Sequence, residues 1–245
     1  MKTLSKIAAV VASAALALSA LGCSSAQTST QSAPGFEAQD IQVNDPGFAI
    51  TDEGKLRYAF VAVNPNDGHV AQDVIFTIEA YDASGSMIAG GGETISMLYP
   101  GVETPGAGEA DLFSSSTDTP EVASLSIVPM MDSVTWSDTG VTNDQIESAI
   151  EIVSPHMSTS DDGSIAINAG IKLKAEGEGQ PLGGKDVEVR AIALLFDKSG
   201  SALCGTEPVT LTLNANGDIC QFEATIPNAP EYGECNLYVT PDTLL

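Results

Sequence analysis

The sequence predicts an all-β protein: two tandem antiparallel β-sandwich domains behind a cleaved leader and a flexible tether. Three observations predict it. Blocks of the chain recur in the same order at nearly constant spacing. The recurring blocks alternate apolar and polar residues, and the segments between them are rich in Gly, Pro, Asn and Asp. Alternation at period two marks a half-buried strand, and the intervening residues are turn formers.

The leader comes first. Lys2 and Lys6 give a positive start, and residues 7–21 are almost wholly Ala, Val, Leu and Ser. That run has the length of a signal-peptide core and is short for a membrane span. It ends in Ser19-Ala20-Leu21-Gly22-Cys23. The arrangement resembles the bacterial lipobox. The resemblance implies a lipoprotein signal peptide over residues 1–22, diacylglyceryl transfer to the Cys23 thiol and cleavage just before it. Ordinary secretion with an incidental cysteine is the alternative. Two acyl chains anchor stably where one binds only marginally, so the expected location is the extracytoplasmic face of a cell membrane. Residues 23–40 follow as the lipidated Cys and a tether. Ser24-Ser-Ala-Gln-Thr-Ser-Thr-Gln-Ser-Ala-Pro-Gly35 has no apolar period and buries no core.

Charge narrows the partners. The formal charge is −24, and loss of Lys2 and Lys6 with the leader takes it to −26. Nucleic acid would be repelled, and so would a polybasic type of contact with anionic lipid. The acidity reads as the solvated surface of an exported protein, with adaptation to high salt or cation capture as alternatives.

The repeat organises the remaining residues. Ile41-Gln-Val-Asn-Asp-Pro46 lies over Ile150-Glu-Ile-Val-Ser-Pro155 at an offset of 109. Leu56, Tyr58, Phe60 and Ala62 fall on Ile165, Ile167, Ala169 and Ile171. At an offset of 115, Asp73-Val-Ile-Phe-Thr-Ile-Glu-Ala-Tyr-Asp82 lies over Glu188-Val-Arg-Ala-Ile-Ala-Leu-Leu-Phe-Asp197. Ile95, Met97 and Tyr99 then match Val209, Leu211 and Leu213, and Ala110 and Leu112 match Cys220 and Phe222. Pro120-Glu121 matches Pro230-Glu231, and Ile127-Val-Pro129 matches Val239-Thr-Pro241. Two domains result, over 41–137 and 145–245, each with six or seven short strands and each expected to fold alone. Residues 138–144 link them. Thr142 three residues before Gln145 has the look of a capping box, so one helical turn at most is expected there.

Seven short strands in about 100 residues suit a two-sheet sandwich of the immunoglobulin type. Val61-Ala-Val-Asn64, Tyr81-Asp82, Gly85 and Leu98-Tyr-Pro-Gly101 in the first copy, with Leu195-Phe-Asp197, Gly200 and Leu213 in the second, resemble the FxLYD-type domains of bacterial envelope proteins. The resemblance implies immunoglobulin-like sandwiches and an envelope location. It carries over no active site.

Residues in combination are what chemistry needs. His69 and His156 are the only histidines, and no Cys-x-x-Cys spacing exists, which argues against a zinc site. No Gly-x-Ser-x-Gly, phosphate loop or dinucleotide fingerprint occurs. Asn64-Pro-Asn-Asp-Gly68 faintly resembles a calcium loop, but Ile75 stands where its twelfth-position carboxylate belongs. Asp52-Glu-Gly54, Asp161-Asp-Gly163, Asp82 and Asp197 suit turns for backbone reasons. Met87, Met97, Met130, Met131 and Met157 are scattered as packing residues rather than copper ligands. Trp136 is expected to plug the gap between the domains rather than serve as a ligand platform. Among Cys204, Cys220 and Cys235, a Cys204–Cys235 disulfide is favoured over Cys204–Cys220, with three reduced thiols as the other reading. No catalytic residue, cofactor or metal is expected. The predicted function is a non-enzymatic lipoprotein, anchored through Cys23, that acts as an interaction or structural module toward an envelope protein or polymer. The loop over 175–184 is the expected recognition element, with a tolerated insertion of no role as the other reading. The alternative is a small-ligand or cation-binding accessory lipoprotein of a transport system.

Overall fold

Residues 36–51, 53–113, 121–174, 182 and 184–245 are described by the computed structural model. The leader, Cys23, most of the tether and nearly all of the 175–184 loop lie outside the described residues.

Among the described residues the first copy forms seven strands: β1 (Gln42–Ile50), β2 (Lys55–Val63), β3 (His69–Tyr81), β4 (Met87–Leu98), β5 (Thr104–Asp111), β6 (Ser124–Pro129) and β7 (Thr135–Asp138). Helix α1 (Asn143–Ala149) leads into the second copy: β8 (Ile150–Thr159), β9 (Ile165–Leu173), β10 (Val187–Phe196), β11 (Ala202–Gly205), β12 (Val209–Leu213), β13 (Cys220–Ile226) and β14 (Glu234–Pro241). Every ladder between them is antiparallel. The chain is all-β, and each copy builds two sheets. Copy one pairs β1-β2-β5 in one sheet and β4-β3-β6 in the other, with β7 also on β3. Copy two repeats this as β8-β9-β13 and β11-β10-β12, with β14 also on β10. The helix is longer than the single turn expected and runs from the linker into the start of copy two. Seven residues are helical, and Thr142 and Gln145 close the capping box.

Burial explains the stacking. In β3, Val74, Phe76 and Ile78 point inward onto Tyr58, Phe60 and Ala62 of β2. The opposite face of β2 presents Ala59 and Val61, which with Ala107 of β5 meet Ile192, Leu194 and Phe196 of β10. The other face of β10, Val187 to Leu195 at alternate positions, packs on Ile165, Ile167, Ala169 and Ile171 of β9. Four sheets are therefore layered with three apolar seams, and the middle seam joins the copies. A fully buried side chain of this size contributes about 1.5–3 kcal/mol. The copies form one compact unit. Val70, Tyr99 and Val102 of copy one also enter the seam of copy two. Tyr99 donates its hydroxyl to the Thr243 carbonyl and accepts from the Leu245 amide, both at 2.7 Å.

The two arginines of the chain both cross the junction. Arg57 on β2 donates to Glu109 at 2.8 Å and to the Pro227 carbonyl of copy two at 2.6 Å. Arg190 on β10 pairs with Glu93 and donates to the Pro105 carbonyl of copy one. Burial pushes the Glu93 carboxyl up despite the guanidinium beside it. At the same junction β1 bulges between Asn44 and Gly47, and a side chain on Gly47 would run into the Ala202 carbonyl. Asp45 and Ser154 take the left-handed conformation at the two equivalent bulges, with φ of 50° and 47°, each just before a proline.

The ladders correct part of the repeat alignment. Tyr58 faces Gly108 while its equivalent Ile167 faces Ala224, so β5 and β13 match at an offset of 116 and not 110. Ile95 then matches Leu211, and Ile127 matches Leu237. The earlier pairings slipped by six, two and two residues. Even slips keep each side chain on its correct face, which is why period two did not reveal them. With the register set, a volume exchange appears. Phe60 lies over Gly106 in copy one, and in copy two the ring moves across, with Phe222 opposite Ala169.

Candidate functional site

Strand β14 is the edge of its sheet, bonded on one side to β10. The Asp242 amide donates to the Glu188 carbonyl at 2.8 Å. On the other flank, Ala193 exchanges hydrogen bonds with Thr206, its carbonyl accepting from the Thr206 amide at 2.9 Å and its amide donating to Thr206 Oγ1 at 3.1 Å. Both contacts fix the phase of the ladder, because antiparallel pairs alternate between bonded and unbonded. Asn236, Tyr238 and Thr240 therefore bond β10. Cys235, Leu237 and Val239 turn their N–H and C=O groups outward, away from β10. Their side chains face the seam toward β9.

The opening between β14 and β8 is a groove in two joined parts of about 330 and about 360 Å³, sharing Ile152 and Leu237. Its apolar lining is Ile152, Met157 and Ile167 at one end and Ile146, Ile150 and Val239 at the other, where polar side chains share the wall. Ile152 and Met157 are 37% and 41% exposed. Glu103 and Glu147 stand on the lining and no lysine or arginine does. Asn143 donates Nδ2 to Glu147 at 3.0 Å, but its buried Oδ1 accepts no hydrogen bond among the described residues. Burial, together with Glu103, Asp45 and Glu234, pushes the Tyr238 phenol up to about 12.

Copy one treats the equivalent edge differently. Pro129 stands where copy two has Val239, and it has no N–H to offer. A short 3-10 helix (Met131–Ser133) then separates β6 from β7. Strands β1 and β6 also pack against each other across that opening. Proline and interruption are ordinary ways to blunt an exposed edge. Copy two carries its proline only at Pro241, the last residue of β14, so the edge from Glu234 to Thr240 runs without a proline or an interruption.

No family model and no curated protein matches the chain.

The other singled-out residues have local duties. Asp82 accepts from Ser84 and Ser86, and Asp197 from Ser199 and Ser201, in matching turns. Those bonds, led by the serine hydroxyls, hold both carboxyls below the usual range. Asp162 accepts from the Ser164 amide at 2.9 Å in the same manner. In the loop that resembles a calcium site, Asn64 donates to the His69 and Leu98 carbonyls, and Asn66 bonds both the amide and the carbonyl of Gln39. Both side chains are buried and aimed at backbone rather than at a cation position. His69 stacks on Phe36 at 3.8 Å, and His156 lies on the groove wall. Trp136 sits within β7 and packs on the seam of copy one with Phe36 edge-on, so it is not a plug between copies. Among the described residues no cluster of His, Cys, Asp and Glu is arranged to hold a metal, and no helix is long and apolar enough to cross a membrane.

Cys204, Cys220 and Cys235 are free thiols. Cys204 and Cys235 do share one end of the sheet, since both lie opposite Leu195. Strand β10 stands between them, however. Two strand spacings put their Cα atoms about 9–10 Å apart, beyond the ~7 Å a disulfide tolerates. Burial pushes the Cys204 thiol up to about 11 and raises Cys235 as well, which makes both poor nucleophiles. Sequence reasoning missed the open edge. The signal for it was Pro129 against Val239, hidden by the two-residue slip.

Proposed function

We propose that the chain is an extracytoplasmic lipoprotein, held to a cell membrane by lipid on Cys23, whose two FxLYD-like copies form a non-enzymatic interaction module of the cell envelope. The observation that carries the interaction reading is the β14 edge, open from Glu234 to Thr240 beside a groove with apolar and acidic lining, in a molecule whose equivalent edge is closed. The groove offers surface and backbone groups, and its titratable lining of His156, Cys235, Glu103, Glu147 and Tyr238 forms no nucleophile–base pair among the described hydrogen bonds. The leader, ending at Cys23, supports the anchoring. The acidic surface leaves attachment to lipid rather than to charge.

Mass spectrometry of the mature N-terminus tests the anchoring. The expected species begins at a diacylated Cys23 and fractionates with membranes, and Cys23→Ser loses the lipid. An unmodified N-terminus at any other residue ends the lipoprotein reading. Turnover of ester, peptide, glycoside or phosphate substrates that survives repurification ends the non-enzymatic one.

A further inference from the structure

We propose that the β14 edge binds an extended polypeptide strand whose alternate side chains are apolar and whose ends are basic. The inference deepens the interaction reading by naming the class of partner.

Two observations select an extended strand. Cys235, Leu237 and Val239 present outward N–H and C=O groups at alternate residues, a template that only another extended backbone satisfies in full. Their side chains and those of Ile152, Met157 and Ile167 line a floor beside that edge. A strand added there lowers every second side chain onto this floor, covering the exposed Ile152 and Met157.

Charge selects its ends. The lining carries Glu103 and Glu147 with no lysine or arginine, and Glu234 opens the strand. A basic peptide gains from this field. A second copy of the chain does not, because pairing β14 with β14 would bring together two strongly acidic chains, each at −26 without Lys2 and Lys6.

Copy one supplies the test variant. Val239→Pro places in copy two the residue that copy one already carries at the equivalent position, Pro129. It removes an outward N–H and leaves the ladder to β10 intact. The probe is the blocked, fluorescein-labelled peptide Lys-Val-Thr-Val-Thr-Val-Lys, titrated against the full chain in detergent. Saturable binding is expected, with hydrogen-exchange protection at Cys235, Leu237 and Val239. Val239→Pro should weaken it by about tenfold or more with little change in melting temperature. The same peptide with Glu at both ends should bind about tenfold more weakly, and salt should narrow that gap. A lysine peptide with alternate amides N-methylated serves as a control that leaves the protein untouched. Equal binding of the N-methylated peptide overturns the proposal, as does saturable binding without protection on β14. Absence of saturable binding up to about 1 mM overturns it too, and leaves the Cys23 anchoring, read by mass spectrometry, standing on its own result.

Discussion

Arg57 and Arg190 are the whole arginine content of the chain, and each reaches from one copy into the other. A planar guanidinium can serve a carboxylate and a backbone carbonyl together, which a lysine point charge does less well. The Arg190–Glu93 pair is nearly dry, at 8% and 15% side-chain exposure. Taking one partner from such a pair strands the other. Arg190→Met is therefore expected to cost about 3 kcal/mol at neutral pH. The sign of its pH dependence follows from Glu93. That carboxyl is already raised by burial and rises further without its cation, so its burden grows as pH climbs through the carboxylate range and is relieved by protonation below it. Urea melts should show the variant recovering toward wild type at mildly acidic pH. Tyr99 gives the residue scale a second test. Burial raises its phenol from 10.0 to about 12. The unfolded chain ionises first, so stability is lost as pH rises from 10 to about 12. Tyr99→Phe should flatten part of that loss in an alkaline titration, while costing about 1–2 kcal/mol at neutral pH through its two lost hydrogen bonds.

Strands β3 and β10 are equivalent elements with opposite fates on one face. Thr77 and Glu79 face outward on β3, and Ile192 and Leu194 replace them where β10 meets copy one. Ile192→Thr is expected to destabilise by about 2 kcal/mol, with the reverse change Thr77→Ile near neutral, within about 0.5 kcal/mol. Chemical denaturation of both variants checks the contrast. The same strands show what the sequence makes legible. Alternation at Val74, Phe76, Ile78 and Ala80 marks one buried face, and the near-continuous apolar run of β10 is the sign of a strand covered on both. Faces, turns and the capping box were readable because they depend on neighbours in sequence. Register was not, because a slip of two residues leaves every face unchanged. The Cys204–Cys235 pairing failed for a related reason. Strand direction put both thiols at one end, and only the sheet order shows Leu195 between them.

The whole molecule is joined through unlike surfaces, one sheet of copy one against the opposite type of sheet in copy two. Such a joint could in principle repeat from molecule to molecule. The free equivalents oppose such repetition, being polar or obstructed: Asn168 stands where Ala59 is, Lys172 where Val63 is, and His156 where Gly47 docks onto Ala202. Each copy taken alone would open the middle seam. A fragment of residues 145–245 bares Ile192, Leu194 and Phe196 and loses Tyr99 from its own seam. It is expected to melt well below the intact chain or to aggregate, and calorimetry of the fragment against the full chain decides this. Cooperative unfolding of the fragment at the full-chain temperature would mean that the junction contributes little.

The middle seam is also unequal in bulk. Copy one offers Ala59, Val61 and Ala107, while copy two offers Ile192, Leu194 and Phe196. A chain led by an amino-terminal leader emerges on the far side of the membrane amino end first, which gives copy one the chance to fold before copy two has crossed. In that interval copy one would expose a small-residue face, which tempts few wrong associations. The bulky side chains would then arrive at a seat already built, so that order of emergence and the division of size across the seam together favour a half-emerged chain that does not stick.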